Sequence, residues 1–226
     1  MSEPRLIETR IPRDPEGVVL VFHGGASRKG NAMVSPTQLS VLRMKPVARR
    51  IARAGRGRLA VLRLLNSVRG WGTDVTPLDD AAWALEQVRT RFGGLPTGLV
   101  GHSLGGRAAL LAGDQSDVRS VVALNPWVYP TDTVDLAGRH VLFVHGMRDR
   151  VADPARAAAV ARRLARTADV GFIEVPGGKH AMLRGGSFFE RAAADFTAAS
   201  LLGEPSPDRA LPAVGQVLRG ERWVTA

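Results

Sequence analysis

The sequence predicts an α/β fold, a single domain built on a mostly parallel sheet with helices on both faces. Three observations carry that expectation. Short apolar runs rich in β-branched residues alternate with longer segments whose apolar residues recur at helical spacing. At 226 residues and 45% hydrophobic, the chain can bury a full core. No shift in composition marks a second domain and no internal repeat is visible.

The elements follow in order. A first strand is expected over residues 6–11 and a second, Val18-Val19-Leu20-Val21-Phe22, runs into His23-Gly24-Gly25-Ala26. A long loop over residues 27–45 then leads to a helix over 46–54, with Pro46 near its start and Gly55 just past its end. A strand over 59–65 precedes an amphipathic helix over 77–92, where Ala81, Leu85, Val88 and Phe92 share one face. Further strands are expected over 97–100, 119–124, 141–146 and 170–175, the last of these closing the sheet. Helices are expected over 107–112, 155–164 and 187–201, the middle one with Asp153 as N-cap and Pro154 as its first residue. The main domain is expected to span residues 1–202. Residues 203–226, with Pro205, Pro207, the apolar run 211–218 and Trp223, form a C-terminal tail that packs on the domain as a strap or frays.

Chemistry concentrates in Gly101-His102-Ser103-Leu104-Gly105-Gly106, between an apolar run and an Ala/Leu-rich segment. A serine oxygen is a weak nucleophile at its free pKa, so it must be held exposed beside a base; a tight strand-to-helix turn framed by glycines does this. A serine in such a place also caps helices, so the motif needs partners.

Those partners occur in the right order, and the pattern resembles the α/β-hydrolase superfamily over roughly residues 17–200: serine, then an acid after a later strand, then a histidine. The resemblance implies a Ser103, Asp149 and His180 triad. Asp149 lies in the loop after strand 141–146; its neighbour Asp153 reads as a helix cap instead. One strand earlier the chain carries Asn125-Pro126-Trp127, and an amide cannot supply the charge. Among five histidines, His102 sits inside the elbow, His140 starts a strand, His145 supports the acid loop and His23 belongs to the glycine-rich segment after the second strand. His180 alone follows the strand 170–175. By the same resemblance His23-Gly24-Gly25-Ala26 is an oxyanion segment, with donors from the N–H of Leu104 and of Gly25 or Ala26.

Only about fifteen residues separate the strands ending near Leu124 and beginning near His140, too few for a helical lid, so a minimal cap and a shallow pocket are expected. Met33, Trp71 and Trp127 are candidate substrate contacts. Residues 17–73 hold eleven basic residues and no Asp or Glu, in a chain of formal net charge +10. Within that segment Arg28, Lys29 and Arg69 follow strands at the ligand-binding edge, where they would attract an anionic substrate or an acidic acyl carrier. With only three lysines among 31 basic residues, the excess equally fits a GC-rich genome.

The expected activity is therefore that of a serine carboxylesterase acting on an ester or thioester through an acyl-enzyme. An acyltransferase or acyl-CoA thioesterase would use the same residues, and a non-catalytic binding protein would be expected to carry a broken triad. No cofactor and no metal site is expected: the chain lacks cysteine, and no metal-ligand cluster or phosphate-binding loop is visible. No nucleic-acid motif and no membrane-length apolar run occurs, and the N-terminus lacks the apolar stretch of a signal peptide, so a cytoplasmic location is the default expectation.

Overall fold

A computed structural model describes residues 3–25, 34–68, 77–183 and 185–226. Eight strands form one sheet: β1 (Arg5–Arg10), β2 (Gly17–Phe22), β3 (Leu59–Leu65), β4 (Thr97–His102), β5 (Val118–Leu124), β6 (His140–Gly146), β7 (Asp169–Val175) and β8 (Trp223–Thr225). Their spatial order is β1-β3-β2-β4-β5-β6-β7-β8, with β1 antiparallel to β3 and every other pair parallel. The central strands are apolar on both faces because helices cover both. Val18, Leu20 and Phe22 of β2 pack with α2 (Pro77–Phe92), α3 (Leu104–Leu111) and α4 (Pro154–Leu164). Val19 and Val21, pointing the other way, pack with α1 (Leu39–Ala54), α5 (Gly186–Leu202) and α6 (Pro212–Leu218).

Two expectations need correction. The first long helix begins at Leu39 rather than at Pro46, which lies inside α1. A proline there forfeits one i→i−4 hydrogen bond, but Val41, Met44, Val47, Ala48 and Ile51 are all buried, and that continuous apolar stripe extends the helix through it. The loop before it is correspondingly shorter than 27–45. The strand 170–175 does not close the sheet either: β8 pairs parallel to β7 beyond it, and Trp223 stacks on Phe172 at 5.6 Å between ring centroids.

The cap is minimal. Between β5 and β6 the chain makes only turns and irregular structure. Arg107 of α3 holds that link by two hydrogen bonds to Asp132, at 2.8 and 2.7 Å, and stacks over Tyr129. Among the described residues no helix is long and apolar enough to cross a membrane.

Candidate active site

All three side chains named from the sequence lie at the C-terminal ends of parallel strands, where an open α/β sheet presents its loops. Ser103 sits between β4 and α3 with φ 56° and ψ −122°, a conformation that costs on the order of 1–3 kcal/mol for a residue with a Cβ. Neighbouring backbone holds it there: its N–H donates to Leu124 O (3.0 Å), and its carbonyl accepts from Arg107 N (3.1 Å) and Trp127 N (3.1 Å). The turn is tight enough that a Cβ on Gly101 would fall 2.0 Å from Gly105 O, and one on Gly105 would fall 2.5 Å from His23 O. Only glycine fits either place.

Asp149 follows β6 and is buried. Its Oδ1 accepts from Val151 N (2.8 Å) and Ala152 N (2.9 Å), and its Oδ2 lies 2.8 Å from His180 Nδ1. Burial alone would raise this carboxyl, but the His145 and His180 imidazoles and the two backbone donors outweigh it and hold the group well below the usual carboxylate range. Ionised, it only accepts, so His180 Nδ1 carries the proton and Nε2 is left to accept from Ser103 Oγ at 3.0 Å. His145, fully buried, bonds Ala152 O through Nε2 at 3.1 Å and supports the acid loop. Asp153 is the N-cap of α4, accepting from Ala155 N at 2.9 Å.

The loops carrying the acid and the histidine are stitched to each other. Met147 N donates to Val175 O and Arg148 N to Gly178 O, both at 2.9 Å. His102 and Asn125 bond the backbone carbonyl of His180. In the sequence His102 reads only as part of the elbow, and Asn125 as an amide that lacks the charge of a triad acid. The available signal was their position, each at or just beyond the end of a strand flanking the serine.

On the other side of Ser103, His23 accepts from Asn66 N at Nε2 (3.2 Å), so its Nδ1–H donates to Gly24 O at 2.6 Å. Burial lowers its pKa and keeps the ring neutral, in the form these two bonds require. This pins the Gly24–Gly25 peptide. Gly25 and Leu104 line one small recess, and Leu104, as the first residue of α3, has an N–H with no partner inside its helix.

Trp127 lines a cleft of about 250 Å³ beside Asp149, together with Val128, Arg150, Val151 and Arg156. A larger cleft of about 430 Å³ near Arg56, Asp195 and Glu204 contains none of the site residues and lies at the opposite ends of α1 and α5. Ala26, Arg28, Lys29, Met33, Arg69 and Trp71 lie outside the described residues. Among the described residues no cluster of three or more His, Cys, Asp or Glu side chains is arranged to hold a metal ion.

No protein-family model and no curated protein matches the chain. Solved structures do. An α/β serine hydrolase homologue from Coxiella burnetii matches with a TM-score of 0.64 at 18% identity, over 85% of this chain and 91% of its own. A Xanthomonas campestris α/β serine hydrolase described as lacking a lid matches at 0.64 and 17%, over 89% and 90%. The esterase domain of a Rhodothermus marinus protein matches at 0.56 and 18%, over 89% and 96%.

Proposed function

On the α/β-hydrolase fold that this chain adopts, we propose a serine hydrolase that cleaves a carboxylic ester or thioester through Ser103, His180 and Asp149. The observation that carries the reading is the unbroken hydrogen-bonded line from Ser103 Oγ through His180 to Asp149, at 3.0 and 2.8 Å. Fold alone would not support it, since this fold hosts many activities.

In the first step Ser103 Oγ bonds to the substrate carbonyl carbon while its proton passes to His180 Nε2. The carbonyl electrons move to oxygen, and the N–H groups of Leu104 and of Gly25 or Ala26 hold the resulting oxyanion. Asp149, kept ionised by its surroundings, stabilises the His180 imidazolium and fixes its ring orientation. Collapse breaks the bond to the leaving oxygen or sulfur, which departs with the proton from His180. Water then attacks the acyl-enzyme as His180 takes one of its protons; collapse breaks the acyl–Oγ bond, the His180 proton returns to Ser103 Oγ, and the free acid leaves. In the cleft beside Asp149, Asp153 lies 3.6 Å from Arg156, which leaves Arg150 as the basic side chain there that would meet an anionic group on the substrate.

The experiment is a turnover screen of purified protein over p-nitrophenyl esters and acyl thioesters, with release of the free acid measured and Ser103→Ala as control. Release of free acid by wild type alone supports hydrolysis. Equal release by both proteins, or none by either, would contradict it.

A further inference from the structure

Two side chains outside the Ser103–His180–Asp149 line converge on one atom, the backbone carbonyl oxygen of His180. His102 Nε2 lies 2.8 Å from it and Asn125 Nδ2 lies 3.2 Å from it. A carbonyl only accepts, so both nitrogens donate, and His102 is the Nε2–H tautomer. Its Nδ1 is buried with no partner among the described residues. An unsatisfied buried acceptor costs free energy that an apolar side chain would avoid, so packing alone does not account for an imidazole at this position. What the imidazole supplies is the N–H aimed at His180.

Asn125 makes a wider set of bonds. It is fully buried; its Oδ1 accepts from Gly146 N at 2.8 Å, and its Nδ2 reaches Lys179 O as well as His180 O, each at 3.2 Å. Its φ of 42° lies in the left-handed region, which asparagine enters more readily than most residues. Its own N–H donates to Val144 O at 2.9 Å. One side chain thereby ties the end of β5 to the end of β6 and to the segment that carries His180.

We propose that His102 and Asn125 are positioning residues whose N–H groups clamp the His180 carbonyl and so hold the His180 imidazole in line between Asp149 and Ser103. His180 sits on a turn rather than in a helix or strand, so no regular ladder fixes its backbone. Fixing the carbonyl fixes the peptide plane and, through the Cα, the direction in which the ring leaves the chain. The His102 and His180 ring centroids are 4.9 Å apart, so a charged His102 would oppose the imidazolium that forms during turnover. Burial, with the nearby His180 charge, lowers the His102 pKa to about 3 and keeps it neutral. The assignment rests on the proposed serine-hydrolase reading for its catalytic consequence, but not for its geometry.

The test compares His102→Gln, which keeps a donor at the reach of Nε2, with His102→Leu, which removes it. Two readouts are taken: the rate at which a fluorophosphonate probe modifies Ser103, and the downfield proton resonance of the His180 Nδ1–H bonded to Asp149. His102→Leu should slow modification by about 10- to 100-fold, the scale of a displacement near 1 Å, and broaden or remove the resonance. His102→Gln should recover most of both. Asn125→Asp keeps an acceptor for Gly146 N but turns a donor into an acceptor, and should behave like His102→Leu. Because both donors share one acceptor, the double variant should lose less than the product of the single losses. Retention of rate and resonance in His102→Leu, equal losses in the Leu and Gln variants, or fully multiplicative losses would overturn the clamp. Should Asn125→Asp fail to fold, the two His102 variants decide alone. Wild-type protein that the probe does not modify would contradict the serine-hydrolase reading, and the resonance comparison would still support or overturn the clamp.

Discussion

Gly146 and Gly178 meet through their backbones, with a Cβ built on Gly146 falling 2.4 Å from the Gly178 carbonyl carbon. Gly146 ends the strand that leads to Asp149, and Gly178 lies two residues before His180, so this contact sets the spacing between acid and histidine. Gly146→Ala must push the two loops apart. It should lower kcat by about 10²-fold and cost about 1–3 kcal/mol of stability from overpacking. Gly177, one residue away, faces open space, and Gly177→Ala should leave turnover unchanged. Steady-state kinetics and thermal unfolding of the two variants check the contrast.

Asp149 and Asp153 have separable tasks. Asp149→Asn should reduce kcat by roughly 10⁴-fold, because the amide no longer fixes the His180 tautomer or offsets its charge. Asp153→Ala should spare kcat and cost about 1 kcal/mol, the worth of an N-cap. Kinetics paired with denaturant unfolding would show the reverse pattern if the wrong carboxylate had been assigned.

Stability should also fall with acid in a window that His102 helps set. Its folded pKa of about 3 lies below the ordinary 6.5, so the unfolded chain takes up the proton first. The contribution is therefore fully present above pH 6.5 and is lost as pH drops toward 3, at up to about 1.4 kcal/mol per pH unit. His23, also lowered by burial, acts in the same direction. His102→Gln removes one of these titrations, so its unfolding free energy, measured by denaturant at pH 4, 5, 6 and 7, should depend less steeply on pH than that of wild type. Parallel slopes would contradict the buried neutral assignment.

Among the described residues the link between β5 and β6 is a set of turns rather than a helical lid, and a pocket without a lid offers little apolar surface to a long acyl chain. Each methylene left in water forgoes about 0.8 kcal/mol of binding. Short acyl esters should therefore give the highest kcat/KM across a chain-length series. An anionic ester should exceed its neutral analogue at low ionic strength, with the gap shrinking in salt and in Arg150→Glu. A rising trend through long chains would contradict the shallow pocket, and salt-independent discrimination would remove Arg150 from substrate choice.

Much of the fold is legible in the sequence because strands buried on both faces read as unbroken apolar runs, as Val18 to Phe22 do. The start of α1 is not, because Pro46 mimics a first helical residue and the stripe through Val41 and Met44 must outweigh it. Nor is β8: three residues are too few for a periodicity, and Trp223 is placed by tertiary contacts, pairing with β7 and stacking on Phe172. Within the site, Ser103, Asp149 and His180 are named through the resemblance, whose order of serine, acid and histidine falls on short loops that follow apolar runs. His102 and Asn125 act on a carbonyl 78 and 55 residues away, a relationship that no local pattern records.

The central claim is that Ser103 is the nucleophile, activated by His180. A fluorophosphonate probe should form one covalent adduct, and peptide mass spectrometry should place it on Ser103. Ser103→Ala should fold normally, take up no probe and lose ester turnover by on the order of 10⁴- to 10⁶-fold. An adduct on another residue, or a Ser103→Ala protein that keeps its ester turnover, would contradict the account.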